Sequence, residues 1–325
     1  MITQLQLNII TMKTILTSLF LSFFIIHSGL AQQKVEKSFD GISSIRLNTA
    51  SGDCDIQKGS GSQVSVMVEF TYDPDDFELK MEKNGSRLVL EEKFNARNMR
   101  GSSEWTLLVP DGLDIDFNSG SGSLDLTGLK VDMKFNTGSG DADVRNVDGD
   151  LNFNSGSGDF EFYEVKGEVR ANSGSGDHKL NSVNASVKAN SGSGDVDLDR
   201  STGEFKLNTG SGDVEAENIS LTQDGNFNTG SGDVEVSLLA SLDHDINLNS
   251  GSGDAVLDFN GNNIEGIITM KAKKRGGDIR APFEFDKVEE IEENGEIYIK
   301  KTKKIGNKNI EIYVGTGTGT AVIRE

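Results

Sequence analysis

Only 3 prolines and 1 cysteine occur in 325 residues. With Cys54 alone no internal disulfide can form, so the fold must rest on its buried core. Histidine is as scarce: His27 lies in an N-terminal apolar stretch, leaving His178 and His244 as the available imidazoles. Positive charge is short as well, with Lys and Arg at 32 against 52 Asp and Glu and a net charge of −20. That balance argues against nucleic acid and anionic membrane surfaces as partners. There is no Gly-x-Ser-x-Gly elbow, and no Gly-Lys-Ser/Thr follows any glycine run. The 38 glycines therefore make neither a nucleophile turn nor a phosphate loop.

What is present in quantity is repetition. Asn172-Ser173-Gly174-Ser175-Gly176-Asp177 has near-copies beginning at Asn118, Asn136, Asn154, Asn190, Asn208, Asn228 and Asn249. The first five intervals are 18 residues, and the last two are 20 and 21. A short fixed period with apolar residues between the copies is the signature of a solenoid. After each motif, positions such as Phe160 and Phe162 or Val196 and Leu198 alternate with Glu161 and Asp197. Strict alternation is the period of a strand with one buried face, whereas a helix needs partners three and four residues on. A second alternating run precedes each motif, as in Leu151-Asn152-Phe153, and an apolar residue such as Val147 or Val165 recurs between the two.

One coil is thus strand, bend, strand, Gly/Ser corner. The expected fold is all-β, a parallel β-solenoid coiled right-handedly, with coils of about 18 residues stacked about 4.8 Å apart. A left-handed hexapeptide helix shares the coil length but needs an apolar residue every six positions. Six before Leu129 stands Ser123, and six after Phe135 stands Asp141. Glycine suits the corner through positive φ and close backbone approach, and the Asn column reads as a hydrogen-bonded ladder.

Residues 1–31 read as a signal peptide: Lys13, the apolar run Ile15–Ile26, and small residues at Gly29-Leu30-Ala31, with Met12 as an alternative start. An uncleaved anchor is the competing reading, though the run is short for a membrane span. No cysteine follows the run, which argues against a lipid-anchored form. Residues 32–110 read as an N-terminal β cap with a worn motif copy at Ile45–Asp53, or else as a separate small β-domain. Residues 111–260 are the regular solenoid. Residues 261–325 are degenerate coils and a cap, with corners at Gly276-Gly277-Asp278 and Thr316-Gly317-Thr318-Gly319. The basic clusters Lys271/Lys273/Lys274/Arg275 and Lys300/Lys301/Lys303/Lys304 read as solvated faces, with pairing to acidic columns or binding of an anionic polymer as alternatives.

The Ser-Gly-Ser-Gly-Asp corners, the strand Trp105–Pro110 before the first regular coil and the closing Gly-Thr-Gly-Thr corner resemble the bacterial putative-adhesin family of β-strand-repeat proteins. That family is similar to the auto-transporter adhesin head (GIN) domain. The resemblance implies a fold and an envelope setting, and it carries no catalytic residues to transfer.

Three kinds of chemistry compete with a plain binding surface. The column Asp141, Asp159, Asp177, Asp195, Asp213, Asp233 and Asp254 places carboxylates one rung apart, which calcium would relieve. Yet the calcium nonapeptide needs Gly two residues before Asp, where Ser175 stands here. Each Asp more simply accepts backbone N–H groups at its turn. A polysaccharide-cleaving β-helix enzyme would need a convergent set, and His178 in an inward column and His244 between two aspartates do not make one. The column Ser121, Ser139, Ser157, Ser175, Ser193, Ser211, Ser231 and Ser252 imitates an ice-binding face but flanks glycines at a bend. The sequence therefore predicts an exported, non-enzymatic solenoid presenting an acidic repetitive surface, with neither catalytic nor metal residues and no cofactor. A carbohydrate-active enzyme and a calcium-dependent binding protein are the alternatives. The expected partners are a cell-surface polysaccharide or an envelope protein, at the periplasm, cell surface or outside.

Overall fold

The computed structural model describes residues 32–95 and 100–325. The proposed signal segment lies outside the described residues. Among the described residues there are 28 strands and no helix. A representative coil runs through a long strand, Val131–Thr137, and the corner to a short strand, Ala142–Arg145; a turn at Asn146 leads to the next long strand, Asp148–Ser155. Long strands stack on long strands and short on short, so two sheets face each other across one core.

Within the regular coils the pairing is parallel and in register. Phe135 lies beside Phe117 and Phe153, and Val144 lies beside Leu126 and Phe162. Phe162 lies beside Leu180, both buried in one inward column. In the long-strand column the Phe117 ring stacks on Phe135 at 5.2 Å, and Phe135 meets Phe153 edge to face at 5.7 Å. Phe153 in turn meets Phe160 and Phe162 of the facing strand at 5.6 and 5.2 Å. Burying such a side chain contributes roughly 1.5–3 kcal/mol, so each coil is held chiefly by its inward residues. The 20-residue coil absorbs its extra length in a register shift of the strand Val214–Thr229 against Thr202–Thr209. The 21-residue coil adds its extra residues in the loop between Leu238 and Ile246, and the Asn column passes through unbroken at Asn228.

The two corners of a coil use different backbone devices, and one of them departs from the expectation. None of the motif glycines of the regular coils has positive φ. Glycine is required there because a Cβ on Gly140 would collide with the carbonyl oxygen of Gly122, and one on Gly158 with that of Gly140. Positive φ occurs at the opposite corner instead. There Gly128 is followed, one coil at a time, by Asn146, Glu164, Ser182, Arg200 and Asn218, with the five side-chain-bearing residues at φ of 46° to 57°. A left-handed conformation costs a non-glycine residue roughly 1–2 kcal/mol, and the ladder on either side imposes it.

The coils near both ends are not stacked in chain order. Strands Ser44–Thr49 and Asp53–Lys58 lie between Arg87–Phe94 and Ser103–Val109 on one side and Leu113–Ser119 and Leu124–Thr127 on the other. At the other end, Glu311–Thr316 and Thr320–Arg324 lie between the coil of residues 246–258 and that of residues 266–280. Antiparallel strands close the stack, Gln33–Phe39, Val64–Phe70 and Phe77–Asn84 at one end and the hairpin of Lys287–Glu293 with Glu296–Ile305 at the other. The sheets are therefore mixed, parallel within and antiparallel at the rims.

Replacing Gly158 by Ala should destabilise the fold by at least about 2 kcal/mol, since neither the new methyl nor the facing carbonyl can move aside. Glu164→Gly should leave stability unchanged or raise it by up to about 1 kcal/mol, because it removes a strained φ. Denaturant unfolding of both variants checks the assignment of the two corners.

Candidate functional site

The repeated motif spends most of its polar groups on itself. Asn side chains from Asn48 to Asn228 form seven amide hydrogen bonds of 2.8–3.2 Å, each Nδ2 donating to the Oδ1 of the coil before. The aspartates form a second chain. The backbone N–H of each Asp from Asp159 to Asp254 donates to the preceding Asp carboxylate at 2.7–2.9 Å. These carboxylates are acceptors at a turn, as the turn chemistry of Asp suggests.

A third column escaped the sequence reading. In most coils the residue after the Asn (Thr137, Ser155, Ser191, Thr209, Thr229, Ser250) accepts the N–H of the second corner glycine, at 2.9 Å from Gly140 and 2.8 Å from Gly194, whereas Ser173 donates to the Gly176 carbonyl. Thr209, Thr229 and Ser250 also donate to a glycine carbonyl of the preceding coil at 2.7 Å. The signal was present as an invariable Ser or Thr at that place. The other Ser column, Ser121 to Ser252, is exposed at the bend rather than lying on a strand.

The outward positions of the strands differ between the sheets. Over the six coils from Asp125 to Glu217 the short strands present seven carboxylates against two cations, Arg145 and Lys179. The six long strands from Asp114 to Lys206 present seven carboxylates against five cations, Lys134, Lys166, Arg170, Lys188 and Lys206. On the long-strand face, neighbouring rows neutralise each other, as where Arg170 meets Glu168 at 2.5 Å and Lys206 meets Glu204. On the short-strand face partial burial and neighbouring carboxylates hold Asp125, Asp197 and Glu215 above the ordinary carboxylate range. A groove of about 370 Å³ lies here, lined among others by Arg145, Glu161, Tyr163, Lys179, Asn181 and Asp197.

The Toastrack DUF4097 family matches residues 42–319, most of the chain and all of its regular coils. The chain belongs to that family. Similar solved structures include one titled a putative cell adhesion protein from Clostridium sporogenes, at 14% identity and a TM-score of 0.20, covering 90% of this chain and 99% of that one. A putative lipid binding protein from Parabacteroides distasonis follows at 14% identity and 0.36, covering 90% and 96%. A putative adhesin from Bacteroides fragilis stands at 13% and 0.29, covering 90% and 97%. No curated protein matches. The family match bears out the resemblance drawn from the corner motifs.

In this Toastrack chain the two described histidines are not brought together with any nucleophile. His178 is fully buried, stacked on Phe160 at 5.4 Å, with both ring nitrogens unpartnered. Burial lowers its pKa from 6.5 to about 4. It is a core residue, more deeply placed than its sequence context indicated. His244 is half-buried in the loop that Lys308 pins through Asp243 at 2.7 Å and the Leu242 carbonyl at 2.6 Å. Cys54 is buried, and its thiol pKa is raised by that burial. Of the basic clusters, Lys271, Lys274 and Lys303 pair with Glu293, Glu290 and Asp286 at 2.8, 2.6 and 2.7 Å. Their partners lie in and beside the closing hairpin, not in the acidic columns.

Two outcomes follow from these columns and from His178. Because the native imidazole stays neutral while the unfolded one titrates near 6.5, stability is complete above that pH and is lost as pH falls toward 4, by roughly 3 kcal/mol. His178→Leu should flatten this stretch of the stability–pH curve. Asp177→Ala, which removes the acceptor of the Asp195 N–H, should cost about 1–2 kcal/mol, and millimolar calcium should leave the melting temperature of the parent protein unchanged; a calcium-dependent rise would show that the column binds metal.

Proposed function

We propose that this chain is an exported, non-enzymatic solenoid whose rigid outer faces, the acidic short-strand face above all, serve binding, adhesion or scaffolding at the bacterial cell envelope. Its coils follow the right-handed sense that parallel crossovers favour. The observation that carries the reading is the use of the conspicuous polar residues. The Asn, Ser/Thr and Asp columns are consumed in the ladder, and the outward residues form long regular rows instead of converging on one point. A catalytic centre needs a nucleophile or acid–base pair within hydrogen-bond reach. Repeated rows on a stiff sheet instead offer many equivalent weak contacts, the arrangement suited to a polymer with its own repeat. Excess negative charge on the short-strand face favours neutral or cationic partners.

The experiment is to screen the protein against envelope and extracellular polysaccharides, following both retention and release of fragments. Binding without turnover is the expected result. Released oligosaccharide would establish a carbohydrate-active enzyme in place of the adhesion reading.

A further inference from the structure

Tyr163 stands out on the short-strand face. The residue is 40% exposed in a row otherwise made of polar and charged residues. Its neighbours in that row, Arg145 on one side and Asn181 on the other, are one rung away, about 4.8 Å along the stack. Both are already held in place. The Arg145 guanidinium donates to Asp143 at 2.6 Å. The Asn181 amide accepts from the Ser182 hydroxyl at 2.8 Å and donates to Asp199 at 3.2 Å. The groove is thus an aromatic surface flanked by oriented donors and acceptors, with Glu161 and Asp197 as carboxylates that no cation of the described residues pairs within 4.0 Å.

We propose that the groove around Tyr163 is a subsite for a neutral sugar ring. A pyranose has an apolar C–H face, which lies against an aromatic ring, and a rim of hydroxyls, each both donor and acceptor. Arg145 donates to ring or hydroxyl oxygens, and Glu161 and Asp197 accept from hydroxyls. Fixed flanking groups lose little freedom on binding. The groove volume falls within the ordinary range for small-ligand clefts, about 300–1,000 Å³. The surplus of carboxylates repels uronic acids and sulfated sugars, which separates this ligand class from acidic polysaccharides. The subsite rests on the binding function proposed above and names what one part of that face recognises.

The test is titration calorimetry of the full chain with a panel of neutral oligosaccharides (β-glucan, mannan and N-acetylated chitin fragments) and with polygalacturonate. At least one neutral oligosaccharide should bind and polygalacturonate should not. Tyr163→Ala should weaken binding about tenfold, Tyr163→Phe should retain it, and Lys188→Ala on the opposite face should leave it unchanged. The subsite is overturned if no neutral saccharide binds, if polygalacturonate binds as well as they do, or if Tyr163→Ala binds like the parent. Should Tyr163→Ala still hold whole envelope polysaccharide, the adhesive function stands and the subsite alone falls; should the parent protein bind no saccharide or envelope material, both fall.

Discussion

The structure depends on a close approach of backbones at the glycine corner. Successive corners pass so near one another that a methyl group would overlap the carbonyl oxygen of the coil before. Such proximity leaves no slack for a slipped register, because a shift of one residue would put a side chain where only hydrogen fits. The adjoining columns are consequences. Asn amides, buried hydroxyls and Asp carboxylates each find a neighbouring coil one rung away, in place to continue the chain of hydrogen bonds. A buried amide or hydroxyl without such a partner would be costly, so the columns satisfy polarity and fix register together.

The same register governs the outside. A residue that faces water in one coil has its counterpart directly above and below, so composition along a row becomes a property of the whole face. Close pairs within one strand, such as Arg145 with Asp143 or Arg170 with Glu168, are exposed and contribute little to stability. Their effect is on pattern. They leave the long-strand face nearly balanced and the short-strand face with carboxylates in excess.

At the ends, a different problem is solved. A growing stack leaves unpaired strand edges and open corner donors, which invite association. Glu92 closes the corner column at one end, accepting from the Ala50 N–H at 3.0 Å and the Trp105 indole at 2.9 Å, and also from the Ser103 hydroxyl. Ala50 elsewhere acts as the acceptor for Gly120, so its N–H is left for this carboxylate. At the other end the charged hairpin of residues 287–305 supplies the rim. In both places a coil distant in sequence is set between two others, which ties the chain ends into the body of the stack.

What could be read from the sequence is what repeats locally. Alternation around Phe160 and Phe162 determined the strands and their buried faces. The 18-residue spacing determined the stacking, and Asn-Ser-Gly-Ser-Gly-Asp determined where the chain bends. Each is a short-range signal written many times. Tertiary structure alone decided why the glycines are there and which corner bears the positive φ, because the first depends on a carbonyl 18 residues away and the second has no constant residue type, running from Gly128 through Glu164 to Arg200. It alone decided the order of the terminal coils, since pairing between residues such as Asn48 and Asn118 is written once and not repeated. It also decided that Tyr163 shares a groove with Arg145 and Asn181, residues 18 positions to either side, which stacking makes neighbours and chain distance conceals.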